Sequence, residues 1–145
     1  MTKEKLRVKN ITVNFEEKSI IEDVTITLNE GEIVSILGVS GVGKTTLFNV
    51  IAGLINPCIG TVELDGENII GKSGKISYML QKDLLFPFKT ILDNVSLPLI
   101  LKGENKKKAR EIAGKYFRQF GLEGMENKYP KELSGGMRQR AAFLR

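Results

Sequence analysis

Histidine is absent from this 145-residue chain, and cysteine occurs only once. Without histidine the chain offers no imidazole for acid–base catalysis or for metal binding. The single thiol, Cys58, has no partner for an internal disulfide, which fits a reducing compartment. No apolar run approaches the roughly 18 residues of a membrane span, and the charged first residues lack the apolar core of a signal peptide. If the protein serves a membrane, we therefore expect a partner to cross that membrane.

The composition is that of one folded domain. Hydrophobic residues make up 41% of the chain and charged residues 27%, as in globular proteins. The 22 basic and 17 acidic residues give a net charge of +5, which suits a polyanionic ligand, although a solvated basic surface is the simpler explanation of the total. Much of the excess lies in Lys3–Lys9 and Lys106–Arg110, and neither segment is dense or aromatic enough to indicate nucleic acid.

Hydrophobic periodicity predicts a mixture of strands and helices. Alternating or continuous apolar runs predict five strands, at Leu6–Phe15, Ile20–Leu28, within Glu32–Leu37, at Thr61–Leu64 and at Ile76–Leu80. Apolar residues at helical spacing predict three helices, at Leu47–Leu54 with an end at Asn56-Pro57, at Ala109–Phe120 with Gly121 as C-terminal cap, and from about Ser134 onward.

A glycine-rich segment lies between the predicted buried strand and the first predicted helix. It reads Gly38-Val39-Ser40-Gly41-Val42-Gly43-Lys44-Thr45 and fits the pattern G-x-x-x-x-G-K-[ST] of a P-loop. Glycines let the backbone turn around phosphate oxygens, and free amides at a helix start attract anions. Lys44 would contact the β- and γ-phosphates, and the Thr45 hydroxyl would ligate Mg²⁺. A chance glycine-rich turn need not be followed by Lys-Thr and a helix, so we expect nucleotide binding by Gly38, Ser40, Gly41, Val42, Gly43, Lys44, Thr45 and Thr46.

A second anion site is predicted near the end of the chain, at Leu133-Ser134-Gly135-Gly136-Met137-Arg138-Gln139-Arg140. Ser134 is a natural N-terminal cap. Gly135 and Gly136 would expose backbone amides at a helix start, by the same physics as the P-loop. Taken alone, the segment would be a capped helix, whereas its combination with an upstream P-loop is highly specific.

With both motifs in place, the chain resembles an ABC transporter nucleotide-binding subunit across essentially its whole length. The resemblance implies an α/β P-loop NTPase fold with N-terminal antiparallel strands, an incomplete RecA-like core and a helical subdomain. Residues 1–80 would form the β subdomain and P-loop core, and residues 81–140 the Q-loop and the helical subdomain that ends in the signature motif.

The resemblance also assigns roles to residues. Phe15 would stack on adenine, although a core phenylalanine at a strand end is an equal alternative. Gln81 matches the Q-loop glutamine, which senses Mg²⁺ and the γ-phosphate of ATP, and it would share the catalytic work with Lys44 and the metal with Thr45. In a head-to-tail dimer, the signature of one subunit would cap the ATP of the other through Ser134, Gly135, Gly136, Met137 and Gln139.

The segment Leu84–Val95, Tyr129-Pro130 and the signature residues resemble importers of the nitrate, sulfonate and taurine group. This implies a peripheral subunit on the cytoplasmic face of the membrane, bound to a permease through Leu84–Phe88 and indirectly served by a substrate-binding protein. The leucines of that segment are equally explained as core residues, but we expect Phe86 to Phe88 to be at least partly exposed.

Residues that the family places after the signature are missing here: an apolar strand ending in Asp-Glu and a switch histidine. Neither Asp65, which enters a glycine turn, nor Asp93 has the apolar run that such a position requires. The resemblance therefore implies a truncated chain that is inactive alone, within a parent whose ATP hydrolysis drives import. An ABC ATPase of DNA repair or translation is the alternative, and the compact spacing of the two motifs favours transport.

Overall fold

A computed structural model describes residues 3–16 and 18–145, so that Met1, Thr2 and Glu17 lie outside the described residues. The chain divides into two compact units, Met1–Tyr78 and Met79–Arg145. Assignment of these units to a P-loop core and a helical subdomain stays a prediction.

The first unit contains an antiparallel sheet and one helix. Strands β1 (Glu4–Phe15), β2 (Lys18–Asn29), β3 (Ile59–Leu64) and β4 (Glu67–Asn68) pair in the order β2-β1-β3-β4. Helix α1 spans Lys44–Ile51. The predictions of three N-terminal strands are therefore confirmed, each slightly longer than expected. Sheet and helix enclose a buried cluster of Val8, Ile11, Val13, Ile21, Leu47, Val50, Ile51, Val62 and Ile69.

A bulge in β1 explains why its apolar alternation changes phase. Val8 and Ile11 are three residues apart, yet both are fully buried. Between them Asn10 adopts φ +51°, and the pairing with β2 shifts register there. The Asn10 side chain donates to Asp23 Oδ1 at 2.6 Å, and its backbone amide donates to Thr25 Oγ1 at 3.0 Å. Both apolar residues can therefore face the same core.

The predicted strands within Glu32–Leu37 and at Ile76–Leu80 are wrong, because neither segment pairs with any strand of the sheet in the described part of the chain. The side chains of Ile33 and Leu37 are 92% and 91% exposed. An apolar run indicates a preference for burial, but a strand needs a neighbour that completes its backbone hydrogen bonds. Ile36 and Ile76 nevertheless pack against the core of the first unit.

Helix α1 ends a turn earlier than predicted. Gly53 adopts φ +73°, its amide donates to Val50 O at 3.0 Å, and the Leu54 amide donates to Asn49 O at 2.8 Å. This pair of bonds is a Schellman motif, which closes a helix through a left-handed glycine. Leu54 is therefore exposed instead of extending the buried face.

The second unit is helical. It contains α2 (Ile91–Leu101), α3 (Lys106–Gly114), a 3₁₀ turn (Pro130–Glu132) and α4 (Gly135–Leu144). Helix α2 was not predicted, although Thr90 caps it by accepting a hydrogen bond from the Asp93 amide at 3.2 Å. No helix in residues 3–16 and 18–145 is both long and apolar enough to cross a membrane. The core of this unit consists of Leu85, Ile91, Val95, Ala113, Phe117, Leu122, Leu133 and Ala141.

The helix predicted at Ala109–Phe120 is wrong in its extent, since α3 begins at Lys106 and ends at Gly114. The next residues form tighter turns, in which the Phe117 amide donates to Gly114 O at 3.2 Å. Gly121 does adopt a capping conformation, with φ +62°, and the Leu122 amide donates to Phe117 O at 2.8 Å. Gly121 thus closes these turns and not α3 itself.

Candidate functional site

The P-loop connects the Ile33–Leu37 segment to α1, and two of its glycines are required by the backbone conformation. Gly41 and Gly43 adopt φ +83° and +94°, a left-handed region that strongly favours glycine. A Cβ on Gly43 would lie 2.7 Å from Ile20 O on β2. A side chain at position 43 would therefore strain the backbone and also push the loop away from the sheet.

Lys44 folds back over the loop. Its ammonium donates to Gly38 O at 2.6 Å and to Val39 O at 2.7 Å. An ammonium has three donors, so two of them hold the side chain in the loop and the third remains for a further acceptor. The loop thereby fixes a positive charge at its mouth.

The N-terminus of α1 adds backbone donors at the same place. Gly43 is the N-cap and has no side chain to cap the helix, and the first turn contains no acidic residue. The first intrahelical bond runs from the Leu47 amide to Gly43 O at 2.9 Å, so the amides of residues 44–46 precede it and have no intrahelical acceptor. These amides and the positive end of the helix dipole favour an anion. Thr45 lies here with its side chain exposed.

Phe15 is the last residue of β1, and its side chain is 52% exposed. The alternative that Phe15 is a buried core residue is therefore wrong. Stacking of Phe15 on adenine stays a prediction.

The signature segment also begins a helix, as predicted. Ser134 is the N-cap of α4, and its hydroxyl accepts a hydrogen bond from the Met137 amide at 3.3 Å. Buried Leu133 anchors the segment in the core of the second unit, whereas Ser134, Gly135 and Gly136 are exposed. Gln139 is exposed as well, and Met137 packs against that core.

Gln81 and the signature glycines share one surface cleft within the second unit. The cleft has a volume of about 490 Å³ and is lined by Gln81, Lys82, Asp83, Leu84, Gly135, Gly136, Arg138 and Gln139. A hydrogen-bonded ion pair crosses it, from Arg138 Nε to Asp83 Oδ2 at 3.0 Å. No sequence pattern signalled this pair, because its members are 55 positions apart.

A family model described as ABC transporter matches residues 21–145. The chain belongs to this family. ThiZ of Halalkalibacterium halodurans, a formylaminopyrimidine import ATP-binding protein, is 49% identical over 146 residues, which cover 100% of this chain and 56% of that protein. TauB of Escherichia coli O157:H7, a taurine import ATP-binding protein, is 38% identical over 140 residues, covering 97% of this chain and 55% of that protein.

Structural comparison agrees with these sequence matches. A dimeric ATP-binding cassette in a post-hydrolysis state, bound to ADP and Pi, superimposes with a TM-score of 0.80 and 32% identity over 96% of this chain and 67% of that one. The predicted α/β P-loop fold of the ABC type and the resemblance to import ATP-binding proteins are thus confirmed. This ABC chain spans about half the length of the curated relatives it matches.

The segment Leu84–Phe88 of the ABC chain presents an aromatic surface. Leu85 is buried, but Leu84, Phe86 and Phe88 are exposed, the last of them to 72%. The expected exposure of Phe86 to Phe88 is confirmed. The rings of Phe86 and Phe88 lie 5.6 Å apart at a 53° angle, so they form one continuous patch.

Asn94, which the sequence did not single out, shapes this aromatic segment. Its side chain is fully buried in the first turn of α2. The Phe86 amide donates to Asn94 Oδ1 at 2.7 Å, and Asn94 Nδ2 lies 3.1 Å from Phe86 O, 3.2 Å from Lys89 O and 3.0 Å from Thr90 O. The two donors and the acceptor of one buried amide thereby hold the backbone of the turn that carries Phe86 and Phe88.

The two carboxylates considered above as stand-ins for the missing catalytic carboxylates both lie within 4 Å of cations. Asp65 lies 2.6 Å from Lys5 Nζ and 3.6 Å from Lys3 Nζ, and the hydrogen bond from Lys5 is the main cause of its lowered pKa. Asp93 lies 3.7 Å from Arg110 and 3.9 Å from Lys106. Within the described residues, no group of three or more Cys, Asp or Glu side chains lies close enough to hold a metal ion.

Proposed function

We propose that this ABC chain is the ATP-binding part of an ATP-driven importer and that ATP binds at the P-loop. The observation that carries the proposal is the position of Lys44, whose ammonium lies 2.6 Å and 2.7 Å from two loop carbonyls beside the uncapped start of α1. A fixed cation and a set of free amides fit a polyphosphate better than any neutral ligand.

In this proposal each P-loop residue has a separate task. Gly41 and Gly43 keep the loop open to phosphate, and the amides of residues 44–46 donate to the β-phosphate. The third donor of Lys44 contacts a β- or γ-phosphate oxygen. Thr45, whose side chain is exposed, and Gln81 are the residues that would hold Mg²⁺, an ion that neutralises charge on the phosphate oxygens when bound. Phe15 stacks on adenine.

The signature is proposed to act on the nucleotide of a second subunit. Ser134, Gly135 and Gly136 are exposed at the start of α4, and Gln139 lies beside them in the cleft. A related cassette is dimeric, which supports a head-to-tail pair. A site that lies on two chains would make hydrolysis depend on dimer formation.

A membrane permease is proposed as the second partner, and Leu84–Phe88 as the surface that binds it. Adjacent exposed aromatic residues such as Phe86 and Phe88 are typical of a protein-binding patch. Because ThiZ and TauB are named import ATP-binding proteins, transport is favoured over DNA repair or translation. The chain would then work at the cytoplasmic face of the membrane, and a substrate-binding protein would deliver the cargo to the permease.

Residues 1–145 alone are proposed to bind ATP without turning it over. The sequence has no Asp-Glu pair after an apolar strand downstream of the signature. Ion pairing of Asp65 and Asp93 further argues against either as a base that activates water.

The test is a Lys44→Ala variant of the polypeptide that carries this sequence. Loss of a charge-assisted contact of about 1.5–3 kcal/mol should weaken ATP binding by about 10- to 150-fold. Lys107→Ala, which removes an exposed lysine of α3, is the matched control and should leave ATP affinity unchanged. Equal affinities for the two variants at moderate salt would refute the proposed site. Phosphate release by the 145-residue chain that disappears in Lys44→Ala would refute its proposed inactivity.

A further inference from the structure

Two arginines, one within α4 and one at its C-cap, hold the segment that follows Gln81. Arg138 donates from Nε to Asp83 Oδ2 at 3.0 Å. Seven residues further, Arg145 donates to Leu84 O at 2.7 Å and to Asp83 O at 3.2 Å. Arg138, within α4, thus holds the side chain of Asp83, and Arg145, at the C-cap of the same helix, holds the backbone of residues 83–84.

The same contacts reach the start of the signature. Arg138 also donates from Nη1 to Leu133 O at 2.8 Å, directly before the N-cap Ser134. At the other end, Asp83 Oδ1 accepts a hydrogen bond from the Leu85 amide at 3.2 Å. Leu85 and Leu133 both belong to the buried core of the second unit. The ion pair therefore joins the backbone before Ser134 to the backbone before the aromatic patch.

Among the ion pairs of the described part of this unit, this pair joins the segment after Gln81 to the signature helix. The Arg110–Asp93 pair is more buried, with side chains 35% and 22% exposed, but its 3.7 Å contact joins α3 to α2. The Asp83 and Arg138 side chains are 29% and 37% exposed, whereas those of Lys108 and Glu104 are 63% and 36% exposed. Partial burial reduces screening by water and salt. The bond also joins two segments that are distant in sequence, whereas Lys108 and Glu104 are neighbours four residues apart at the start of α3.

We propose that Asp83 and Arg138 are positioning residues, which set the direction of the Ser134–Gly136 amides according to the position of the Gln81–Leu85 segment. The inference rests on the proposed action of the signature on a partner's nucleotide. Amides at a helix start serve a phosphate only when they point at it, and a displacement of about 1 Å is enough to lose most of the effect. A permease bound at Leu84–Phe88 would thus shift the signature through Asp83.

The proposal predicts coupling between the two residues. Asp83→Asn and Arg138→Gln should each weaken ATP-dependent dimerisation of the polypeptide that carries this sequence by about 10-fold. Affinity of the P-loop for ATP should stay unchanged, because the proposed effect is on the direction of the signature amides alone. The double variant Asp83→Asn/Arg138→Gln should dimerise no more weakly than the more impaired of the two single variants. Arg138→Lys, which keeps the charge but loses the fork to Leu133, should fall between Arg138→Gln and the unmodified protein.

Hydrogen exchange separates positioning from general stability. Amides of residues 134–137 should exchange faster in both single variants, and the charge-reversed pair Asp83→Arg/Arg138→Asp should restore part of their protection. Lys108→Gln, which breaks the exposed pair in the same unit, is the control and should change neither exchange at 134–137 nor dimerisation.

Three results would overturn the proposal. Additive effects of the two substitutions would show that the residues act independently. A loss with Arg138→Gln but not with Asp83→Asn would mean that Arg138 contacts the nucleotide itself. Unchanged exchange at residues 134–137 in variants that melt at a lower temperature would leave the pair a purely structural role. If the unmodified protein does not dimerise with ATP, the proposed function fails instead, while exchange still reports whether Asp83 and Arg138 are coupled.

Discussion

The P-loop and the signature are both glycine-bearing helix starts, but they differ in what they leave open. At α1 the cap is a left-handed glycine with no side chain, and Lys44 brings a cation over the loop. At α4 the hydroxyl of Ser134 occupies the Met137 amide, and the nearby Arg138 is engaged by Asp83. The P-loop thus has free amides and a fixed charge, whereas the signature has fewer of both. We infer that the first site binds phosphate by itself, and that the second contributes only where another loop already holds the nucleotide.

Substitution of glycine by alanine should show the largest difference between the P-loop and the signature. Gly43→Ala imposes a left-handed conformation on a residue with a Cβ and brings that atom within 2.7 Å of Ile20 O, so we expect a loss of about 2–3 kcal/mol in unfolding free energy and of ATP binding. Gly135→Ala meets only Arg138 Nη2 at 3.9 Å in a helical conformation. It should leave stability unchanged or raise it by up to about 0.5 kcal/mol. Urea unfolding measures both, and equal losses would contradict the difference drawn between the two loops.

Substitution of Asn94 should have the next largest effect, a loss of stability confined to the second unit. Asn94→Ala removes the partners of the Phe86 amide and of Lys89 O, whereas Phe86 O and Thr90 O still accept from the Lys89 and Asn94 backbone amides. We expect a loss of about 2–3 kcal/mol in unfolding free energy. Asn105→Ala, which removes an exposed helix cap, is the comparison and should cost about 1 kcal/mol. If Asn94→Ala cost no more than Asn105→Ala, the aromatic segment would not depend on the buried amide.

A pH effect at Glu132, close to the signature, should be the smallest. A hydrogen bond from the Tyr129 amide, followed by one from Lys128, lowers the pKa of Glu132 below its ordinary value. A lowered pKa in the folded state means that the contribution of Glu132 to stability is present above the unfolded-state pKa and is lost as the pH falls through the folded-state pKa. Glu132→Gln should therefore reduce the acid sensitivity of thermal unfolding below about pH 4.5. If the melting temperature of this variant depended on pH as that of the unmodified protein does, ionised Glu132 would not contribute to stability.

Prediction from sequence succeeded best where a few consecutive residues decide the outcome. The P-loop pattern, the Ser134 cap and the Asp65-Gly66 turn after β3 depend on backbone conformations that neighbouring residues impose. Prediction failed where helix ends depend on competing caps: Gly53 stopped α1 before Leu54, and the turns after Gly114 shortened α3.

The sequence by itself determined that the chain is an α/β member of the ABC family, and it predicted which residues bind phosphate, because both depend on local patterns of glycine, lysine and serine. Only the tertiary structure decided that Ile33 and Leu37 are exposed, that Asn94 holds the aromatic turn and that Arg138 finds Asp83. Burial and pairing of this kind depend on which distant segments the fold brings together, and that requires a neighbouring strand or a facing helix that no local pattern encodes.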